Sequence, residues 1–292
     1  MLKNVSFLGL GVMGFPMAGY LAKAGFSTCV YNRTASKADD WQKQQPSTAQ
    51  TSTASTPALA VADAQIVCMC LGNDDDVRSV VYGDDGVLAN LPAGGILIDH
   101  TTGSQTLALE LAQACRARNI GFIDAPVSGG QVGAESGQLT IMCGANVEDY
   151  ECTKPVLDVY SRHHQLLGDV GAGQLAKMMN QICIAGIVQG LSEALHFGDK
   201  AGLDRQAVID VISKGAAQSW QMENRANTMI NNEYEFGFAV DWMRKDLGIA
   251  LDAARQNGAS LPLTALVDQF YADVQQAGGG RWDTSSLLTR LP

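Results

Sequence analysis

Basic residues are scarce in this chain of 292 residues: Lys and Arg together number 20 against 30 Asp and Glu, a formal net charge of −10. With no basic run to offset phosphate repulsion, nucleic acid is not an expected partner. Histidine is scarcer still, at four, and the seven cysteines form no CxxC pair and no metal-like Cys/His spacing. No metal is expected, and the cysteines read as reduced, structural thiols of a cytoplasmic protein. No apolar run reaches the ~18 residues of a membrane span, and no basic segment precedes an apolar run and cleavage site at the N-terminus, so neither membrane insertion nor targeting is expected. The three consecutive aspartates Asp74, Asp75 and Asp76 lack the glycine and terminal glutamate of a calcium loop and read as a solvated helix cap.

What is present is apolar bulk, 46% of the residues, enough for a substantial core and two domains, here read as residues 1–165 and 166–292. Strands alternate with helices over the first ~165 residues, the pattern of a doubly wound, mostly parallel sheet. Asn4 to Leu10 reads as a strand that runs directly into Gly9-Leu10-Gly11-Val12-Met13-Gly14 and then a helix through Ala24. In that strand–turn–helix setting GxGxxG is a dinucleotide fingerprint, with Gly9, Gly11, Val12, Met13 and Gly14 as expected pyrophosphate contacts.

The second strand ends in Asn32-Arg33-Thr34, where an NAD-preferring site places an acid for the ribose 2′-hydroxyl. Arg33, helped by Asn32 and Thr34, suits a 2′-phosphate instead, which favours NADP(H) over NAD(H); a solvated, capped turn is the alternative. The Ser- and Thr-rich stretch from Gln42 to Thr56 reads as surface helix ends and turns. After the strand Gly95 to Asp99, Thr101 and Thr102 stand either to reach the nicotinamide side of the cofactor or to cap the next helix, and His100 reads as structural. Asp124-Ala125-Pro126-Val127-Ser128-Gly129-Gly130 delivers a hydroxyl and two glycine N–H groups toward an anionic substrate group, unless it is a plain glycine turn. No GxSxG elbow and no histidine partner accompany Ser128, so it is not read as a nucleophile.

From Gly171-Ala172-Gly173 to Ala201 the apolar residues fall at helical spacing without proline, predicting one helix over about 171–200 that joins the sheet domain to an all-helical second domain. Lys177 and Asn180 lie three apart and share a face of it, extended by Gln181. Trp220 opens a later helix, where it is either a wall of the substrate pocket or core.

Taken together, the glycine loop, Asp124 to Gly130, Gly171 to Asn180 and Lys245-Asp246-Leu247 resemble, over nearly the whole chain, the β-hydroxyacid dehydrogenase family. The resemblance implies a catalytic acid/base at Lys177, substrate contacts at Asn180 and Gln181, and a carboxylate site at Ser128, Gly129 and Gly130. It also implies cofactor contacts at Leu71 and Lys245, a substrate-pocket place for Trp220 and a homodimer or homotetramer. Three positions depart from the family pattern. Asn180-Gln181 replaces Asn-Asn, Leu71-Gly72 replaces Leu-Pro, and Thr101 replaces serine. The expected activity is NADP-dependent interconversion of a small carboxylate-bearing β-hydroxy acid with its semialdehyde or keto acid. A 6-phosphogluconate-dehydrogenase-like oxidative decarboxylase and a non-catalytic NADP-binding scaffold are the rival readings; the short helical half speaks against the first, and retention of Lys177, Asn180, Ser128 and Lys245 against the second.

Overall fold

A computed structural model describes residues 3–292. Its strands are β1 (Asn4–Leu8), β2 (Ser27–Tyr31), β3 (Thr51–Ala54), β4 (Ile66–Met69), β5 (Ile96–Asp99), β6 (Gly121–Asp124), β7 (Val127–Ser128), β8 (Leu139–Gly144) and β9 (Ser161–Gly168). They form a single sheet in the order β3-β2-β1-β4-β5-β6-β8-β7, with β9 also paired to β8. The six strands β1 to β6 run parallel, and β8 is antiparallel to β6 and β7. This is the Rossmann-type doubly wound sheet that alternating strands and helices predict.

Both faces of the sheet are buried, so its strands are apolar at successive positions and the side chains sort by period two. In β4, Ile66 and Cys68 join one core with Phe7, Met17 and Trp41, while Val67 and Met69 join the other with Leu8, Leu97 and Leu111. All seven cysteines are thiols, and burial pushes Cys68, Cys115 and Cys143 up to about 12, which keeps those three protonated and unreactive.

The sheet corrects the sequence reading in two places. Thr51–Ala54, taken for turns, is an edge strand paired to β2; half-exposed and made of Thr and Ser, it lacks the apolar signature of its neighbours. Strand β9, which the sequence reads only over Gln165 to Gly168, starts four residues earlier, because it is an edge strand whose first half, Ser161 to His164, carries no apolar signal.

The helix Ala172–Lys200 has 29 residues, about 43 Å at 1.5 Å per residue. The chain divides into two compact units within it, the first ending at Lys177 and the second running from Met178 to Pro292. In the second unit, Val188 of the long helix packs with Val240, Met243 and Leu247 of Val240–Asn257 and with Val267, Tyr271 and Val274 of Pro262–Gln276. Each set recurs every three or four residues, the stripe of a helix packed on one face. The tail is fastened by buried Asp283, which accepts from Arg225 Nε at 3.1 Å, Phe238 N at 2.9 Å and Ser285 Oγ at 2.6 Å. Among the described residues, no helix is long and apolar enough to cross a membrane, and no cluster of His, Cys, Asp and Glu is arranged to hold a metal ion.

Candidate active site

The loop after β1 meets the steric demands of a dinucleotide turn. Gly9 sits at φ +95°, and a Cβ there would lie 2.4 Å from the Cys70 carbonyl oxygen. A Cβ at Gly14 would lie 2.0 Å from the Gly9 carbonyl oxygen, so only glycine lets the helix Gly14–Lys23 start this close to the strand. Gly11 is the reverse case: a Cβ there would meet nothing within 4 Å, which leaves open space in front of the backbone. No side chain caps this helix among the described residues, whereas Thr56, Asn73, Ser104 and Asn146 cap later ones. Open space before an uncapped, positive helix end fits a pyrophosphate. Val12 is exposed and Met13 half-buried at the same turn.

Asn32 braces that loop: its Oδ1 accepts from Leu10 N at 2.9 Å, and its Nδ2 donates to the Thr34 carbonyl at 3.0 Å. One donor and one acceptor position of its amide thus hold the loop. Arg33 extends from the end of β2 with its side chain 85% exposed and donates to Asp76 Oδ1 at 3.2 Å. An exposed pair of this kind is worth little by itself. The aspartate run is thus more than a solvated cap: Asn73 caps the helix, Asp76 meets Arg33, and Asp74 accepts from Ser104 Oγ at 2.6 Å.

The carboxyl ends of β4, β5 and β6 converge on the start of the long helix. Asp124, at the end of β6 and fully buried, accepts from Gly171 N at 2.7 Å and from Gln174 N at 2.8 Å, so both its oxygens cap the helix. Gly173 packs so tightly against this seat that a Cβ would fall 2.5 Å from the Asp124 carbonyl oxygen. The Gln174 side chain adds two bonds to the segment after β5, from Gly103 N at 3.0 Å and to the Thr101 carbonyl at 2.8 Å. Thr101 is itself buried, and its hydroxyl accepts from Leu71 N at 2.9 Å. Its side chain therefore shapes the Leu71 loop from behind. Lys177, one helical turn past Gln174, is 7% exposed.

Four residues beyond Asp124, Ser128 closes β7, and Gly129 and Gly130 follow at φ +127° and +61°. Both angles lie where a side chain is strained, so the turn is built for glycine. His100 is structural, as its sequence position suggests: it is buried, with Nδ1 2.7 Å from the Ala125 carbonyl and Nε2 2.9 Å from Tyr160 Oη, and burial lowers it to about 4.

Asp99 and Asp124 face each other in register across β5 and β6, and burial pushes each up to about 7, against the hydrogen bonds that favour their ionised forms. A raised acid contributes stability that is full below its unfolded value, near 3.8, and is lost as pH rises through about 7. Asp99→Asn is therefore expected to gain on the wild type progressively between pH 4 and 7 and to hold a constant advantage above, read as urea midpoints across that range. A difference that does not change with pH would contradict the assignment.

In the second unit, Asn180 Nδ2 donates to Gln181 Oε1 at 2.8 Å, and Gln181 Nε2 donates to Asp246 Oδ2 at 2.7 Å. Gln181 is 1% exposed, and its amide bridges Asn180 and Asp246, so it orients both of these side chains. Lys245 Nζ lies 3.3 Å from Asp246 Oδ1 and 5.8 Å from the Trp242 ring centroid. Trp220 is half exposed, not core, and carries the Arg225 guanidinium 4.9 Å from its ring centroid.

The model of the NAD binding domain of 6-phosphogluconate dehydrogenase matches residues 4–171, and that of the NAD-binding region of NADP-dependent 3-hydroxyisobutyrate dehydrogenase matches residues 171–291. The chain is 59% identical over 290 residues to an uncharacterized oxidoreductase of Shewanella frigidimarina, with 99% of this chain and 98% of that one covered. It is 34% identical to 2-(hydroxymethyl)glutarate dehydrogenase of Eubacterium barkeri, covering 98% and 93% of the two chains. Among solved structures, Mycobacterium tuberculosis 3-hydroxyisobutyrate dehydrogenase with L-serine superimposes with a TM-score of 0.88 at 30% identity, covering 100% of this chain and 99% of that one. These likenesses run from the glycine loop to the helical tail, and with them the resemblance read from the motifs is settled: the chain belongs to the 3-hydroxyisobutyrate dehydrogenase family of NAD(P)-binding oxidoreductases.

Proposed function

We propose that the protein is an NADP-preferring dehydrogenase that interconverts a small β-hydroxy acid and the corresponding semialdehyde or keto acid, with Lys177 as the general acid/base. The observation that carries this reading is the seat of Lys177. A lysine that is only 7% exposed lies one turn past a helix start bonded to the strand ends where doubly wound sheets hold their ligands. When bound, the reduced nicotinamide supplies a hydride to the carbonyl carbon. Lys177 Nζ donates a proton to the oxygen as negative charge develops there, and in oxidation the neutral amine takes that proton back. Ser128 Oγ and the N–H groups of Gly129 and Gly130 hold the carboxylate, which fixes the carbonyl in one orientation. Asn180, held by Gln181, lines the substrate side. Gly9, Gly11, Val12, Met13 and Gly14 receive the pyrophosphate, and Lys245 and Leu71 complete the cofactor contacts.

The names of the relatives support the substrate class. 2-(Hydroxymethyl)glutarate, 3-hydroxyisobutyrate and L-serine all carry a hydroxymethyl group on the carbon next to a carboxylate. The test is NADPH oxidation with tartronate and methylmalonate semialdehydes, whose reduction gives β-hydroxy acids, beside glyoxylate and succinic semialdehyde, which give α- and γ-hydroxy acids, and beside the methyl ester of each. Turnover of at least one of the first two acids, with its ester slower by about a hundredfold, is expected; no turnover of either would overturn the reading.

Preference for NADP rests on the missing acid at Asn32-Arg33-Thr34 and on the exposed guanidinium of Arg33. A charge-assisted phosphate contact is worth about 1.5–3 kcal/mol. Arg33→Ala is therefore expected to raise KM for NADPH by roughly tenfold to a hundredfold, with KM for NADH within about twofold of the wild type. Equal catalytic efficiency of the wild type with both cofactors would refute the preference.

A further inference from the structure

Gln174 carries none of the reacting chemistry, yet its backbone and side chain together make three bonds to the strand ends at the start of its helix. Its backbone N–H goes to Asp124 at the end of β6, and its side-chain amide both accepts from Gly103 N and donates to the Thr101 carbonyl. The residue is 2% exposed, so these bonds face no competition from water. Thr101 in turn receives Leu71 N on its hydroxyl and donates its own N–H to Asp99 Oδ1 at 2.8 Å. One amide thus ties the helix start to a peptide that also shapes the Leu71 loop. Lys177 lies three residues on, along the same face of the helix.

A helix entered through a glycine at φ +95°, as this one is at Gly171, has no intrinsic rotational setting. The two oxygens of Asp124 fix where its axis starts, and the Gln174 amide fixes the rotation about that axis. Rotation is what decides where a side chain one turn later points. We infer that Gln174 is a positioning residue that sets the direction of Lys177 relative to the Leu71 loop, an inference that rests on the role of Lys177 proposed above.

Gln174→Met keeps the length of the side chain and removes both of its bonds. Turnover per folded molecule, normalised by NADPH-binding stoichiometry, is expected to fall by about tenfold to a hundredfold while KM for NADPH moves less than about twofold, since a misplacement near 1 Å is enough for such a loss. Gln174→Glu provides the second readout. Its protonated form restores donor and acceptor together, and its ionised form has no donor for the Thr101 carbonyl. The ratio of its kcat to the wild-type kcat is therefore expected to fall as pH rises, a change that a purely structural role would not produce.

A third variant separates this inference from the one beneath it. In a Lys177→Ala background, Gln174→Met is expected to have no further effect on residual turnover. If Lys177→Ala itself keeps near-normal turnover, the lysine assignment fails. If Lys177→Ala is inactive but Gln174→Met turns over at the wild-type rate, or the Gln174→Glu ratio does not vary with pH, the positioning role alone fails.

Discussion

Lys177→Ala is expected to lower kcat by about a thousandfold, within the 10²–10⁴ range of general acid–base catalysis, and to leave the dissociation constant for NADPH within about twofold. Turnover falls because the developing alkoxide loses its only proposed proton donor. Alanine is the best helix former, so the Ala172–Lys200 helix persists, and the seat at Asp124 and Gln174 lies a turn upstream of the change. Cofactor affinity holds because the glycine loop and Arg33 belong to other strands. Lys177→Arg sharpens the interpretation: a guanidinium keeps the positive charge but does not release a proton near neutral pH. Were charge alone needed, arginine would restore much of the activity; the proton-transfer role predicts that it restores little. Steady-state kcat beside NADPH fluorescence titration checks both variants, and near-normal turnover of Lys177→Ala contradicts the role.

Asp124→Ala is expected to be the most damaging single change outside the reacting groups. It leaves the N–H groups of Gly171 and Gln174 buried and unpaired at the start of a helix, each costing about 1–3 kcal/mol. A total near 3 kcal/mol corresponds to a fall in Tm of roughly 6–12 °C for a chain of this size. Because Lys177 rides on that helix start, turnover per folded molecule is expected to drop as well. Asp124→Asn keeps one acceptor oxygen and is expected to fall between the two, which a thermal melt and a kcat measurement on the same preparation will show. A melt at the wild-type temperature for Asp124→Ala would mean that the two hydrogen bonds do not hold the helix.

The legible parts of this molecule were those in which one local pattern answers to one physical demand. GxGxxG after an apolar run specified strand, turn and helix because the backbone geometry there admits little but glycine. The long helix was visible because 29 residues of helical apolar spacing without proline admit few other structures. Strand β3 was not visible, because an edge strand with one face in water needs no apolar alternation, and its Thr-Ser-Thr-Ala sequence reads equally well as a turn. The groups that bear the proposed chemistry stood out through their motifs. The groups that hold them did not. Gln174 gains its meaning from Gly103 and Thr101, more than 70 positions away, and Gln181 from Asp246, 65 positions on. A glutamine with both ends of its amide satisfied looks the same in a sequence as one on the surface. The aspartates at 74 to 76 teach the same lesson: their spacing excluded calcium, but only the fold shows Asp74 joined to Ser104 and Asp76 to Arg33.

The central claim is that this chain moves a hydride between NADPH and the carbonyl carbon of a small carboxylate-bearing aldehyde or keto acid. Incubation of the protein with NADPH deuterated at the transferring C4 position and methylmalonate semialdehyde, followed by mass and NMR analysis of the product, tests it most directly. The account predicts a 3-hydroxy acid with deuterium on the carbinol carbon, formed by the wild type and not by Lys177→Ala. Deuterium retained in the cofactor with no hydroxy acid formed, from this aldehyde and from the other acids of the substrate panel, would contradict it.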